Sequence, residues 1–476
     1  MLTETANRDS RLSFWLRVRE FAVPPSMIET ATARRHAGDW AGACAAAGVD
    51  LDLDLRSAAR AHGRELAARL RADLRHLAPD LLRWHLPRVA PDGLLRPGLT
   101  VRLARYDVPD GGGTRPVHLV VRTPPAWADA GQRISLALWD ASGSDPDACR
   151  HPHPRPHRRF RLDLHRHLWD ARRAGELEVR SGAEEWSAVD PPPGTPDLSA
   201  LVPRERGCAV GRWAAEAGLL LHAEGRSATA VAVRFGARQR LVLDLAEDGS
   251  AGAGDDADGP VPLRIAAVSD AGRAVALPVL PDAATWVLPD LELLRNGLIE
   301  AERLHPLVAS ALVPGRPPAG TSRPPDLDPA GQARVVMCRG ERHRIGLVDG
   351  VLSALDHDPA EVRREELLAA LTGTPLPCLQ AIDRAHRRPD CLAGVRERLV
   401  HGDIAGALAV VEGLLGPGAT LRGGALRDEL EAAALRRITY GLFRAGLAGP
   451  GPARVGSVPR RRPRAHRSHP RQATRT

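Results

Sequence analysis

Between residues 332 and 416 the local signals agree on a small sheet that hands over to helices, and no other stretch restricts the chain as tightly. Val335, Val336 and Met337 form an apolar run. Residues 344–348 and 351–355 flank Asp349-Gly350, a pair suited to the positive φ angles of a type I′ turn. Together they predict a β-meander. Asp358-Pro359-Ala360-Glu361 then supplies an N-cap, a proline at the first helical position and an acid three residues past the cap, which opens a helix to about Leu371 before Gly373 and Pro375. Ile404, Ala407, Leu408, Val411, Leu414 and Leu415 recur at helical spacing, with Asp403 as N-cap and Gly416-Pro417-Gly418 as the stop.

The rest of the chain is read outward from this unit. Residues 10–90 are expected to be helical, with Leu66, Leu70, Leu74 and Leu77 in one stripe that Ala78-Pro79 interrupts. Within them Asp50, Asp52 and Asp54 alternate with leucines, which reads as a solvated face leading into a helix cap rather than as a cation loop. From about residue 97 the period changes to two: Leu99, Val101 and Leu103, then the apolar run 117–121, then Ile134, Leu136 and Leu138. Residues 110–113 join the first two as a hairpin loop. Two more strands, 229–235 and 240–245, surround a turn at Gly236-Ala237, an acidic glycine-rich loop follows at 249–259, and 291–312 is helical with a break near Pro306. His36-Ala37-Gly38-Asp39 and His401-Gly402-Asp403 repeat one phrase, in which Gly-Asp ends one helix and caps the next.

The predicted class is therefore α+β: an N-terminal helical region (1–90), a central β-rich α+β domain (91–313), a proline-rich linker (314–331), a C-terminal β-meander followed by helices (332–448) and a disordered basic tail (449–476). A chain of 476 residues exceeds what one hydrophobic core usually serves. The formal charge of +8 resides in that tail: from residue 448 onward there are eight arginines and no acid, which leaves the body balanced. The tail suggests contact with nucleic acid or an acidic surface, or a solubilising extension.

Every basic residue is arginine. Without lysine there is no Walker A loop, no protein-kinase strand lysine and no Schiff-base nucleophile. No Gly-x-Ser-x-Gly and no HExxH motif occurs. Six scattered cysteines do not form a disulfide framework, residues 1–25 are interrupted by charges, and no apolar run approaches a bilayer span, so the chain is expected to be cytoplasmic, with no membrane association.

Two groups of side chains can carry chemistry. Residues 149–173 hold five histidines and eight arginines with only Asp163 and Asp170. On a strand Asp163, His165 and His167 would point the same way and serve as the catalytic set of a metal-dependent nucleic-acid hydrolase. If a helix begins near His165 they diverge, and the segment becomes a basic, partly exposed surface. The second group, Cys338, His343, His357 and Cys378, with His386, Cys391 and His401 nearby, has zinc-ligand chemistry without any of the usual zinc spacings.

The phrases Glu20-Phe21-Ala22-Val23-Pro24-Pro25, Ile28-Glu29-Thr30-Ala31 and 338–346 resemble a family of uncharacterised actinobacterial proteins, over most of 13–447. That family has no assigned activity, and the resemblance implies an accessory role beside MoxR-type ATPases and von Willebrand A proteins. The leading expectation is a non-enzymatic interaction or adaptor protein with a protein partner. The alternatives are the Asp163/His165/His167 hydrolase and nucleic-acid binding through residues 449–476.

Overall fold

Helices, a two-stranded ribbon, a central four-stranded sheet, two three-stranded sheets and C-terminal helices make up the described residues, as an α+β protein. The computed structural model describes residues 11–141, 151–182, 198, 201–203, 207–236, 239–247, 263–270, 277–313, 334–349, 351–372, 375–387, 391–416 and 418–449. The linker call (314–331), the glycine-rich loop (249–259), Cys149, Gly350 and the tail beyond residue 449 lie outside these.

The N-terminal region contains α1 (Pro25–His36), α2 (Trp40–Ala46), β1 (Val49–Asp52), α3 (Leu55–His62), α4 (Arg64–His76) and α5 (Pro79–His85). Proline opens both α1 and α5, where the missing N–H costs no helical bond. Leu66, Leu70, Leu74 and Leu77 are buried as one stripe, and Pro79 restarts the helix after it. The region is not helical throughout. Gly48 at φ 68 turns the chain out of α2, and the Val-Asp-Leu-Asp alternation has a period of two, so 49–52 becomes a strand. Asp54 alone is a helix cap, accepting from Ser57 N at 2.7 Å.

The central sheet has the order β1-β4-β3-β2, with β2 (Thr100–Asp110), β3 (Gly113–Arg122) and β4 (Ile134–Asp140). The first two form the predicted hairpin, closed by Gly111 at φ 53 and Gly112 at φ 106. β1 pairs β4 in parallel from Val49↔Ile134 to Asp52↔Ala137. One apolar core joins this sheet to the N-terminal helices, to Phe160–Leu177 residues, and to α7 (Pro289–Arg295) and α8 (Pro306–Leu312) through Leu291, Leu293 and Val308. A second core lies under α6 (Trp213–Ala223) and the antiparallel sheet β5 (Ala230–Arg234), β6 (Arg240–Glu247) and β7 (Leu263–Asp270).

The third core belongs to the C-terminal unit. Its meander is β8 (Arg334–Cys338), β9 (Glu341–Val348) and β10 (Val351–Ala354), with Val348 paired to Val351 across the Asp349 turn and Asp349 at φ 49. Five helices follow: α9 (Pro359–Thr372), α10 (Pro377–Arg387), α11 (Leu392–His401), α12 (Ile404–Leu415) and α13 (Ala425–Arg444). The repeated Gly-Asp phrase builds the same device twice. Asp39 accepts from Gly42 N at 2.8 Å and Asp403 from Gly406 N at 2.9 Å, with Gly38 and Gly402 both at positive φ.

Arg83 ties the C-terminal unit to the body. Its buried guanidinium donates to the carbonyl oxygens of Ala22 (2.9 Å), Gln132 and His401 (2.8 Å), bringing three distant segments to one side chain. Burial pushes its pKa down to about 10, so it remains a cation at neutral pH. Gly402 packs against the backbone of Gly131 so closely that any Cβ would collide with the Gly131 carbonyl. At the far edge, Asp50 accepts from Tyr440 Oη at 2.7 Å and pairs with Arg444 at 2.8 Å, while Arg133 holds its other side. Asp50 and Asp52 therefore bind arginines and a tyrosine instead of forming a solvated face.

Candidate functional site

Cys338, His357 and Cys378 reach one point from three elements. Cys338 ends β8, where Arg339 (φ 55) and Gly340 (φ 85) reverse the chain so that Cys338 pairs with Glu341. His357 sits between β10 and α9. The loop that carries it is pinned on one side by Arg344, which donates to Asp356 from its backbone N and its guanidinium, both at 2.7 Å. On the other side Asp358 caps α9, accepting from Ala360 N at 2.8 Å. Cys378 lies in the first turn of α10, just after Pro377.

The ligand atoms of Cys338, His357 and Cys378 all lie within 4.8 Å of one another, against roughly 3.8 Å along the edge of a tetrahedral zinc–thiolate site. Both cysteines are buried, and the His357 side chain is 4% exposed. His357 Nε2 is buried with no hydrogen-bond partner among the described residues. A buried imidazole nitrogen without a partner is costly, and a cation between it and two sulfurs would satisfy it. Burial, with the Cys338 sulfur beside it, pushes the Cys378 thiol up to about 11. Without metal the Cys378 thiol therefore stays protonated at neutral pH, and a bound metal would displace that proton.

Of the four ligands singled out from the sequence, these three converge. His343 does not join the convergent set but stacks on His357, with ring centroids 4.2 Å apart and 21° between planes. It supplies a further nitrogen beside the trio, and its Nδ1 is also buried without a partner among the described residues. Two thiols and an imidazole are the soft and borderline donors that suit zinc and disfavour magnesium or calcium. They supply three of the four donors that a closed structural zinc site takes. His401 is elsewhere, stacked on Phe21 at the junction with the body.

Asp163, His165 and His167 are arranged differently, and the segment is mixed: His153, Arg155, His157, Arg158, Arg172 and Arg173 form the expected exposed basic surface, while its other part turns inward. His151, His165, His167 and Asp170 are all buried. The inward part is compensated by Asp163 and Asp170 of the segment itself together with acids from other elements. Arg161 binds both oxygens of Asp163 at 3.1 and 2.8 Å and also pairs with Glu224 of the α6 end at 2.9 Å. His165 Nε2 is 3.1 Å from Glu216 Oε2, and the same carboxylate receives Arg180 at 2.6 Å and Arg212 at 3.3 Å. Asp73 of α4 collects Arg172 at 2.6 Å and Tyr106 Oη at 2.7 Å. His165 and His167 sit edge to face at 5.7 Å, on a single helical turn at Arg166–Leu168. Burial takes His167 down to about 3, so it is neutral.

Among the described residues no helix is long and apolar enough to cross a membrane. Comparison with family models, curated proteins and solved structures finds no match to this chain.

Proposed function

We propose that this chain is a non-enzymatic interaction protein whose C-terminal unit is braced by zinc at Cys338, His357 and Cys378 and whose last helix receives the partner. The observation that carries the interaction reading is on α13. Its inner face, with Leu426, Ala433 and Tyr440, is buried. On the opposite face Leu435, Ile438 and Leu442 recur at helical spacing with exposures of 63%, 59% and 41%. Isolated exposed apolar residues are ordinary, but a contiguous stripe on one helix face marks an interaction surface.

The occupant we assign is a different protein that offers an apolar groove bordered by carboxylates. The charge of the chain supports this, because the eight arginines after residue 448 follow α13 directly, with no acid among them. Apolar anchors would then fix the register while the arginines steer the encounter. The test compares the full chain with Leu435→Glu/Ile438→Glu/Leu442→Glu by affinity purification from the native host and reconstitution of the recovered partner by calorimetry. The reading expects a stoichiometric acidic partner that binds the wild-type chain and loses at least tenfold in affinity with the folded variant. Equal binding by the variant contradicts it, as does a concentration-dependent dimer of the chain itself that the same substitutions dissolve.

A further inference from the structure

A cavity of about 610 Å³ opens in the body, away from both the zinc ligands and α13, between the N-terminal helical segment, the chain after α5, the 159–162 segment and the 282–289 segment. The volume lies in the range of small-molecule sites. Its composition is unusual for this chain. Phe14, Trp15, Phe160 and Trp286 all line it, although the whole sequence has only nine tryptophans, five phenylalanines and two tyrosines. Aromatic walls of this kind favour a flat, apolar ligand body.

The charge of the lining points to what such a ligand carries. Arg11, Arg159 and Arg161 also reach the cavity, but each is matched by a carboxylate: Glu292, Asp282 and Asp163. Arg88 and Arg96 pair with no carboxylate among the described residues. The terminal nitrogens of Arg88 donate to the carbonyl oxygens of Gly93 and Arg83, both at 2.8 Å, while its Nε is buried with no partner among the described residues. Arg96 is exposed, and its guanidinium lies over the Phe160 ring, 6.0 Å from the centroid. His85 Nε2, in the same lining, is likewise buried without a partner among the described residues. Burial and the neighbouring Arg83 drive the Arg88 pKa well down, the direction expected for a cation that lacks its counter-ion. An uncompensated guanidinium beside an aromatic cavity is stabilised when an oxyanion arrives.

We propose that this cavity binds one planar aromatic ligand bearing an oxyanion, with the ring held by Phe14, Trp15, Phe160 and Trp286 and the anion by Arg88 and Arg96. The probe is anilinonaphthalene sulfonate, titrated by fluorescence into the full chain beside its uncharged analogue phenylnaphthylamine. The expected result is one saturable sulfonate site per chain, with the uncharged analogue at least about tenfold weaker, the scale of a charge-assisted hydrogen bond. Arg96→Met, at an exposed position without an ion pair, leaves the fold intact and lowers the sulfonate affinity by a similar factor. Arg88→Met lowers it further, with circular dichroism confirming that the protein is folded. Displacement by AMP identifies a phosphate ligand and displacement by indole acetate a carboxylate ligand. The proposal is overturned by equal affinity for the uncharged analogue, by an Arg96→Met affinity that does not change, or by failure of both competitors to displace the dye. It is also overturned if Leu435→Glu/Ile438→Glu/Leu442→Glu abolishes the signal, which would place the dye on α13.

Discussion

Around Asp163, His165 and His167 each donor faces a counter-group, whereas Cys338, His357 and Cys378 face one another. Arg161 occupies Asp163, Glu216 stands at His165, and Glu176 Oε2 lies 3.8 Å from His167 Nδ1. At the cysteine site the nearest counter-charge is Glu361, 3.6 Å from His357 Nδ1, which leaves Nε2 directed elsewhere. The two groups look alike as composition, since both gather metal-binding side chains. They differ in whether the donor atoms converge, and that decides whether a cation has anything to gain by binding. His165 Nε2 and His167 Nδ1, like His357 Nε2, make no geometric hydrogen bond among the described residues. The difference is that two thiols converge with His357 on one point, while carboxylates already stand beside His165 and His167.

The largest effect that would sharpen this contrast is removal of the proposed ion. Zinc in small structural sites contributes on the order of 10 kcal/mol, so Cys378→Ser, or a strong chelator, should unfold the C-terminal unit while leaving the central sheet in place. Hydrogen exchange reads this directly: amides of 334–415 should lose protection and those of β2 to β4 should keep theirs. Uniform loss across the chain would break the comparison.

A smaller effect is expected at the ion-pair network. Glu216→Gln strands Arg180, Arg212 and His165 in a buried setting, and removing one partner of such a group costs about 3 kcal/mol. Urea unfolding at pH 7 measures it. The contrast would fail if this substitution also changed the metal content.

The pH dependence has a defined sign. Burial lowers His167 to about 3 and His118 to about 4, below the unfolded value of about 6.5. Between those limits the unfolded chain binds more protons than the folded one, so stability falls as pH drops from about 6.5 toward 3. At pH 5 to 6.5 carboxylates are still ionised and histidine dominates the slope. His167→Asn, which does not titrate, should make the urea midpoint less dependent on pH in that window; an unchanged slope would contradict the burial of a neutral imidazole.

The smallest effect comes from the two Gly-Asp turns. Gly38→Ala should cost about 1 kcal/mol from its left-handed backbone alone, since nothing else lies near that position. Gly402→Ala adds a clash with Gly131 and should cost clearly more. Equal thermal shifts would mean that the C-terminal unit is not seated against the body as described.

These turns also show which parts of the fold could be read in the sequence. Asp39, Asp358 and Asp403 cap helices through neighbours two or three residues away, so the signal is local and complete. The meander was legible for the same reason, from Asp349 and its flanking apolar runs. β1 was not, because an alternating Val-Asp-Leu-Asp segment becomes a strand only when β4 is there to pair with it. The burial of His165, His167 and Asp170 was hidden likewise, since Glu216 lies far in sequence from His165 and Asp73 far from Arg166 and Arg172. The cysteine site was legible in donor type but not in geometry: its residues match no fixed spacing, and His343 shares their chemistry without sharing their point of convergence. The aromatic cavity left no local trace at all, because its walls come from four separate segments.

Metal content decides between the two clusters most directly. Native mass spectrometry of the full chain, purified without chelator, should show one zinc per molecule, retained in His165→Asn/His167→Asn and lost in Cys338→Ser/Cys378→Ser. Zinc absent from the wild-type protein with its thiols reduced, or lost with the histidine pair and kept without the cysteines, would contradict the account.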